Sequence, residues 1–455
     1  MLPSLLTLVA LLSTAVVGVP LEPRQTAAAF PDPTVDPFYK APANLSSYKP
    51  GDVIRSRSVQ TVVNGPDVGA SYQLYYRSKT TKQKPDGTVA TVFVPKKPAS
   101  PTRIFSYQSY QDSTTLDCNP SWAFVDGSAS QNKAIVTLDT PIYINWALSQ
   151  GYYVVASDDY GSQSAFIAGR QEGMAVLDGI KAIRAYSKLP KDSQVALFGY
   201  SGGASSTVWA TTLAGSYAPD LNIVGAVHGG TPISTRDTFT FLNGGAFSGF
   251  AGAGLVGILN AYPEMNDYIL QHVNDDGKKQ IAAYRSNNFC LPQVVSTYPF
   301  LNFYPEIDVD DPLDQPIPKA VLSQETLLQS QADFKVAVPK FPLLQFHALL
   351  DEIVPYQDHA DYVKEQCAGG ANIQFQTLPI AEHITGELLG IPGSIIFLKQ
   401  AFEGQTPKVI CGTGLPDFSG LLFTSQADDV MGKQAADSIR ALNGTKSVFG
   451  EVIKF

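Results

Sequence analysis

The chain has 455 residues, of which 44% are hydrophobic and 16% charged, and its formal net charge is -9. This length is ample for a large buried core, and a single α/β domain with an insertion can reach it. The acidic balance and the lack of any Lys/Arg cluster argue against nucleic acid as a partner.

The first residues predict export from the cell. Residues 2–19 are apolar and uncharged, and the stretch is too short and isolated to be a good membrane anchor. We interpret residues 1–20 as a secretory signal peptide, cleaved near Gly18 or Pro20, with any short pro-segment ending by about residue 24. No later stretch is long and apolar enough to span a bilayer.

Other features are consistent with an extracellular location. Asn44 and Asn443 begin Asn-X-Ser/Thr sequons and are candidates for glycosylation. An even number of cysteines predicts two disulfides in an oxidising compartment, with three pairings open from sequence alone. No two cysteines are close enough for zinc-ligand spacing, so we expect no metal. The four are Cys118, Cys290, Cys367 and Cys411.

The remaining chain predicts an α/β architecture over residues 25–455. Three antiparallel strands at a sheet edge come first, over Val59–Val63, Ser71–Arg77 and Thr88–Val94, with turns at 64–66 and 85–87. Short apolar strands then alternate with helices, which predicts a mostly parallel central sheet flanked by helices. The predicted strands cover 103–107, 151–157, 194–198, 221–227, 341–346 and 373–378, and helices cover 165–186 and begin near 204 and 356.

The alternation lapses between about residues 232 and 339. About a hundred residues are more than a connection between strands requires, and they include a Gly-rich stretch over 244–254 and a helical pattern near Ile281–Tyr284. We interpret this insertion as a mainly helical cap that supplies an apolar substrate pocket. The alternative is a structural insertion that does not contact substrate.

The strongest chemical signal is a serine in a G-x-S-x-G turn between a predicted strand and a predicted helix. In such a turn the serine backbone is strained, only small neighbours are tolerated, and the hydroxyl points out of the sheet. We therefore predict that Ser201 is a nucleophile; the alternative is a Gly-rich turn without chemistry. The turn reads Gly199-Tyr200-Ser201-Gly202-Gly203.

A serine nucleophile needs a base, and α/β hydrolases place the acid and then the histidine after later strands. His383 follows the predicted strand 373–378 by a short loop, so we predict it to be the base. His228 lies too early in the chain, and His272 falls inside the insertion. His347 ends the strand before the acid loop and is expected to support that loop, while His359 is expected to be a surface or packing residue on a helix.

The predicted acid is Asp351, which lies five residues past Phe346, the end of its strand. Its neighbour Glu352 is the main rival and Asp358 a weaker one. An oxyanion also needs backbone N–H donors, and Gly202 at the helix N-terminus should be one of them. The second should lie in the loop over 108–114, where spacing alone does not select a residue.

Several segments together resemble the fungal secretory lipase family, from about residue 30 to beyond residue 400. The resemblance implies an α/β-hydrolase fold, the triad Ser201, Asp351 and His383, and an oxyanion hole formed by the backbone of Asp112 and Gly202. It also implies the disulfides Cys118–Cys290 and Cys367–Cys411. The segments are Tyr107–Ser113, Gly151–Val155, Glu172–Met174, Gly199–Gly203, His228–Pro232 and Asp351–Pro355.

The sequence therefore predicts a secreted serine hydrolase that cleaves carboxylic esters, as a triacylglycerol lipase or carboxylesterase, through an acyl-enzyme on Ser201. An acetyl esterase of a bulky fungal secondary metabolite would use the same triad and is the alternative. A catalytically silent, ligand-binding hydrolase fold is a further alternative. The chemistry needs no cofactor, and the expected partner is an ester or lipid substrate, at a lipid–water interface for a lipase.

Overall fold

The computed structural model of the protein describes residues 30–406, 411, 419–445 and 452–453. The predicted signal peptide lies outside these residues. Nine strands form one sheet in the order β1-β2-β3-β5-β4-β6-β7-β8-β9. They are β1 (Val53–Ser58), β2 (Val68–Lys79), β3 (Pro85–Pro95), β4 (Arg103–Gln108), β5 (Tyr153–Ser157), β6 (Gln194–Tyr200), β7 (Asn222–Gly229), β8 (Leu343–Ala348) and β9 (Ile373–Leu378).

Three antiparallel strands and six parallel strands make up this sheet. β1, β2 and β3 pair antiparallel, and β3 also pairs antiparallel with β5. From β5 onward every pairing is parallel, which brings the carboxyl ends of β6, β8 and β9 to the same edge. The predicted mixed α/β fold with an antiparallel edge is confirmed.

Helices cover both faces of the sheet. Apolar residues of α3, α4 and α11 form one buried cluster with the strands, and α2 and α12 belong to the cluster on the other face. The helices are α1 (Pro120–Ala123), α2 (Thr140–Ser149), α3 (Gly169–Tyr186), α4 (Gly202–Tyr217), α5 (Thr235–Leu242), α6 (Ser248–Ala261), α7 (Pro263–His272), α8 (Asp275–Tyr284), α9 (Leu291–Thr297), α10 (Pro316–Leu322), α11 (Tyr356–Ala368), α12 (His383–Glu403), α13 (Ser425–Met431) and α14 (Lys433–Arg440).

The predicted position of the first strand is wrong. The strand is Val53–Ser58, and Val59–Val63 lies outside the ladder apart from one isolated bridge at Thr61. β1 pairs with β2 through backbone hydrogen bonds, and the guanidinium group of Arg55 in β1 lies over the ring of Tyr75 in β2 at 4.5 Å. The predicted turn at 85–87 is also wrong, because the turn comes at 80–84 and Pro85 begins β3.

The residues between β7 and β8 contain helices α5 to α10. The Gly-rich stretch lies mostly in helix α6. A Cβ at Gly249 would lie 1.8 Å from the Val294 carbonyl oxygen, so glycine allows α6 to approach α9 closely. Side chains of these helices join the larger hydrophobic cluster of the domain, which places the inserted helices over one end of the sheet's core.

Candidate active site

The turn between β6 and α4 holds Ser201 in a strained backbone conformation. Its φ of 53° and ψ of -122° lie outside the regions that L-residues prefer. A Cβ at Gly199 would lie 2.1 Å from the Gly203 carbonyl oxygen, and a Cβ at Gly203 would lie 2.2 Å from the Gln108 carbonyl oxygen. Both glycines are therefore required for this turn, which presents the Ser201 hydroxyl at the N-terminus of α4.

His383 is the first residue of α12 and reaches the serine from the loop after β9. Its Nε2 atom lies 2.9 Å from Ser201 Oγ, and the side chain is almost fully buried. The Tyr200 hydroxyl donates to the His383 carbonyl oxygen at 2.6 Å, while the His383 backbone N–H donates to Glu352 at 3.0 Å. The rival Glu352 thus binds the backbone of the histidine rather than its ring.

Asp351 lies in the loop after β8 and faces the other nitrogen of the imidazole. Its Oδ2 atom accepts a hydrogen bond from His383 Nδ1 at 2.7 Å. Its Oδ1 atom accepts from the backbone N–H groups of Ile353 and Val354, at 3.0 and 2.7 Å. The structure therefore brings Ser201, His383 and Asp351 into one continuous hydrogen-bonded chain.

The charges of Asp351 and His383 stabilise each other. Burial alone would raise the pKa of Asp351, but the His383 charge and hydrogen bonds from His347 and His383 hold that pKa well below its usual range. Burial opposes charging of His383, yet the Asp351 carboxylate raises the pKa of the imidazole above its ordinary value. A buried carboxylate thus stabilises the protonated imidazole, which is the state a base reaches after accepting a proton.

The other four histidines lie apart from the serine. His272 pairs with Asp308 at 2.8 Å in the inserted segment, where it is partly exposed. His228, His347 and His359 are fully buried in a cluster behind the acid loop, so His359 is a packing residue and its surface alternative is wrong.

The loop after β4 brings Asp112 next to the serine. Asp112 has a φ of 46°, and a Cβ at Gly202 would lie 2.0 Å from its Oδ1 atom, so the carboxyl group lies against the start of α4. Its backbone N–H donates to the Tyr160 hydroxyl at 3.4 Å. Burial raises the pKa of Asp112 to about 7, although the His383 charge and the Tyr160 hydroxyl lower it somewhat.

A pocket opens between Asp112, Ser201 and Gly202 on one side and the inserted helices on the other. The pocket is narrow: about 50 Å³ of it can hold the centre of a water-sized sphere, and most of its lining is apolar. Side chains from the inserted helices that line it include Phe239, Leu242, Phe250, Leu255, Ile258 and Leu322.

The four cysteines form two disulfides. Cys118 follows the Asp112 loop and is bonded to Cys290, which precedes α9 of the inserted segment. The second bond joins Cys367 to Cys411. These are the pairings that the resemblance implies, and the first ties the loop beside the serine to the inserted helices.

The described residues contain neither a cluster of metal ligands nor a helix suited to crossing a membrane. Within residues 30–406, 411, 419–445 and 452–453, no group of three or more His, Cys, Asp or Glu side chains could hold a metal ion. In the same part of the chain, no helix combines the length and apolarity needed to cross a membrane.

Parts of the site were not predicted from the sequence. Tyr160, which bonds to Asp112, gave no signal in the sequence, and Tyr200 was predicted only as part of the turn, without its bond to the His383 backbone. The contact of His347 with Asp351 Oδ2, at 3.1 Å, was anticipated only as support for the loop. The contacts of Tyr160 and Tyr200 join residues far apart in the chain, whereas His347 and Asp351 are four residues apart and meet through the conformation of the loop after β8.

Comparison with known proteins places the chain in a family. Residues 128–409 match the secretory lipase family model. The chain is 52% identical to Lipase A of Moesziomyces aphidis over 99% of this chain and 97% of that protein. It is 34% identical to the secreted triacylglycerol lipase LIP1 of Malassezia furfur, over 92% of this chain and 84% of that protein.

Solved structures agree with the fold. The crystal structure of Candida antarctica lipase A in its closed state is 53% identical, with a TM-score of 0.91 over 94% of this chain and 99% of that one. The rice cell wall degrading esterase LipA of Xanthomonas oryzae is only 14% identical, and its TM-score of 0.60, over 79% of this chain and 100% of that one, shows a shared fold alone. The chain belongs to the secretory lipase family of carboxylic ester hydrolases, with an α/β-hydrolase fold.

Proposed function

We propose that Ser201, His383 and Asp351 form the catalytic triad of a triacylglycerol lipase. The observation that carries this proposal is the chain of hydrogen bonds at 2.9 and 2.7 Å that links the serine on a strained turn to a buried carboxylate. Ser201 Oγ attacks the ester carbonyl while His383 Nε2 accepts its proton. His383 then gives this proton to the leaving alkoxide, and water repeats the cycle on the acyl-enzyme.

The oxyanion that forms in each half of the cycle is stabilised by the backbone N–H groups of Asp112 and Gly202. Gly202 begins α4, so its N–H has no carbonyl partner within the helix and lies at the positive end of the helix dipole. Asp112 lines the same pocket, and its N–H makes a long contact of 3.4 Å to the Tyr160 hydroxyl, which it can exchange for one to the oxyanion. Donors of this kind, fixed in place before the reaction, contribute several kcal/mol to the transition state, about 3 for one donor.

Covalent labelling tests the triad. A fluorophosphonate should modify the wild-type enzyme once, on Ser201, and intact-mass measurement should show no adduct on the Ser201→Ala variant. Ser205→Ala is the matched control, since Ser205 lies on the same helix, is buried and donates to Glu172 at 2.8 Å. Labelling of Ser201→Ala at the wild-type rate would refute the assignment.

The inserted helices act as a cap that supplies the acyl pocket. Support comes from the apolar lining and from the position of Ser201 in the wall of the same pocket. Ala251 on α6 also lines this pocket, so Ala251→Phe should lower hydrolysis of long-chain p-nitrophenyl esters relative to the acetate. Ala251→Ser adds only one oxygen atom and serves as the control. Wild-type activity confined to acetate would instead identify an acetyl esterase.

The enzyme acts at a lipid surface, and two loops beside the triad supply the contact. Leu349, Leu350 and Ile380 are 45%, 56% and 76% exposed, in the loops that carry Asp351 and His383. Backbone bonds hold the two loops together: the Leu350 N–H donates to the Ala381 carbonyl oxygen at 3.2 Å. Adjacent exposed apolar side chains of this kind favour a non-aqueous partner.

Replacing Leu350 and Ile380 together by serine should lower the ratio of activity on a triglyceride emulsion to activity on a soluble ester. Val35→Ser is the matched control, because Val35 is 61% exposed but lies outside these loops. An unchanged ratio would show that these loops do not contact the lipid.

The protein is secreted. Residues 2–19 have the composition of a signal peptide, Asn44 and Asn443 are exposed, and two disulfides are present. Intact mass of protein recovered from the culture medium, before and after glycosidase treatment, should show loss of the first residues and report the occupancy of each sequon.

A further inference from the structure

His347 contacts the acid of the proposed triad on the same oxygen as the base. His347 Nε2 lies 3.1 Å from Asp351 Oδ2, the atom that also accepts from His383 Nδ1. The other group near this nitrogen is the Val354 carbonyl oxygen, at 3.2 Å. Because a carboxylate and a carbonyl can only accept, His347 Nε2 carries a hydrogen, which it shares between the Val354 carbonyl oxygen and Asp351 Oδ2.

The opposite side of the His347 ring is also fixed. His347 Nδ1 lies 2.9 Å from His359 Nδ1, and His359 Nε2 lies 2.9 Å from Gln345 Oε1. His228 stacks against His359 with ring centroids 5.5 Å apart, and its Nδ1 pairs with Thr231 at 2.8 Å. All three histidine rings are buried, so the orientation of His347 is set by packing and hydrogen bonds on both edges.

We propose that His347 is a positioning residue for the reaction: by donating to Asp351 Oδ2, it shares that atom with His383 and limits how strongly the carboxylate holds the base. The proposal rests on the triad assigned above. A carboxylate that bound the imidazole alone would hold the protonated form more tightly. The base would then require a higher pH to become neutral and accept the serine proton.

The groups that face His383 and His347 are consistent with this effect on the protonation of His383. Asp351, Glu352 and Asp112 are the acidic groups facing His383, and each favours its charged form, while burial opposes it. His347 faces Asp351, His359 and the ring of Tyr356, and it faces no second carboxylate in the described part of the chain. Of the side chains that contact Asp351, His347 is therefore the one besides His383 that withdraws electron density from the carboxylate.

Two near-isosteric variants separate the two edges of the ring. Glutamine at position 347 can place its terminal amide where Nε2 lies and keep the donor to Asp351. Asparagine reaches only the Nδ1 position, so it keeps a partner for His359 and loses the donor. His228→Asn is the matched control, since it makes the same chemical change in the same cluster without contact to Asp351.

The readout is the pH profile of kcat/KM on a soluble ester, with kcat and KM measured separately. Only part of the lost hydrogen bond to Asp351 is transmitted to His383, so we expect a shift of about half a pKa unit. His347→Asn should raise the acid-limb pKa by this amount, which lowers the rate on that limb about threefold. It should also lower the plateau kcat with little change in KM.

His347→Gln should restore the acid limb to the wild-type position, and His228→Asn should leave it there. A wild-type pH profile for His347→Asn, equal shifts for His347→Asn and His347→Gln, or the same shift in His228→Asn would each overturn the proposal. Fluorophosphonate labelling of Ser201 tests the triad separately, so a negative result for His347 can be distinguished from a wrong triad assignment.

A measurement on the wild-type enzyme covers the case in which the asparagine variant does not fold. With ¹⁵N-labelled histidine, proton NMR should detect two hydrogen-bonded imidazole N–H groups protected from solvent exchange beside Asp351, on His383 Nδ1 and His347 Nε2. Absence of a hydrogen on His347 Nε2 would overturn the proposal.

Discussion

Replacing Asp351 by asparagine should reverse the tautomer of the base. Asp351 Oδ1 accepts two backbone N–H groups, from Ile353 and Val354, so the amide oxygen of the variant must take that position. Its NH₂ group then occupies the Oδ2 position, 2.7 Å from His383 Nδ1 in the native structure, and donates to that nitrogen. The imidazole hydrogen moves to Nε2, where it faces Ser201 Oγ and prevents proton acceptance.

The size of the effect follows from losing the base rather than from losing one hydrogen bond. In trypsin-like proteases the equivalent change lowers kcat about 10⁴-fold, or about 5.5 kcal/mol at 1.36 kcal/mol per factor of ten. We expect a similar loss here, because a flipped amide would direct its NH₂ group at the backbone N–H groups of Ile353 and Val354. The side chains are close in volume, so thermal stability should change much less than activity.

The assay is the steady-state rate on p-nitrophenyl esters, with Glu352→Gln as the matched control. Glu352 accepts from the His383 backbone N–H at 3.0 Å, and a glutamine oxygen can accept the same bond, so its activity should stay within about tenfold of wild type. If Asp351→Asn kept a tenth of the wild-type kcat while Glu352→Gln lost a thousandfold, the acid would be Glu352 and the reasoning would be refuted.

Three further predictions concern pH and stability. The raised pKa of Asp112, about 7, means that a negative charge appears beside the oxyanion above neutral pH, so Asp112→Asn should extend activity to higher pH in a rate–pH profile. Removing the Cys118–Cys290 bond opens a connection of 172 residues and should lower the free energy of unfolding by about 5 kcal/mol, measured by chemical denaturation. Buried carboxyls with raised pKa values stay protonated in the folded protein at a pH where the unfolded chain has lost those protons. They therefore stabilise the fold at low pH, and this contribution is lost as pH rises through the raised pKa values. Two buried histidines with lowered pKa values, His228 and His359, act in the opposite direction. They are fewer than the carboxyls, so the melting temperature should fall between about pH 5 and pH 7. The carboxyls include Asp112, Asp139, Asp158, Asp159 and Glu325.

Chain order and local turn chemistry were enough to predict how the serine, acid and base come together. The parallel strands β6, β8 and β9 end at one edge of the sheet, so Ser201, Asp351 and His383 meet although they are far apart in the chain. The prediction needed only apolar strands, a G-x-S-x-G turn and the order of the loops.

Long-range contacts were beyond such patterns. Val53–Ser58 pairs with β2 through backbone bonds although four of its six side chains are polar or charged, which misled the assignment of the first strand. Asp112 was assigned through resemblance, because its left-handed backbone depends on how the whole loop packs against Tyr160 and α4. The histidine cluster depends in the same way on α11 packing beneath the acid loop.

The loop after β8 has two adjacent residues in opposite environments: Leu350 is 56% exposed and Asp351 is 6% exposed. Asp351 is fixed by two backbone donors and two imidazoles, and the Leu350 N–H is bonded to the loop that carries His383. Contact of Leu350 with lipid therefore cannot rotate Asp351 without breaking several hydrogen bonds. The hydrogen-bonded chain of Ser201, His383 and Asp351 is complete in this structure, so we expect a lipid surface to change the rate through substrate access to the pocket rather than through assembly of the proposed triad.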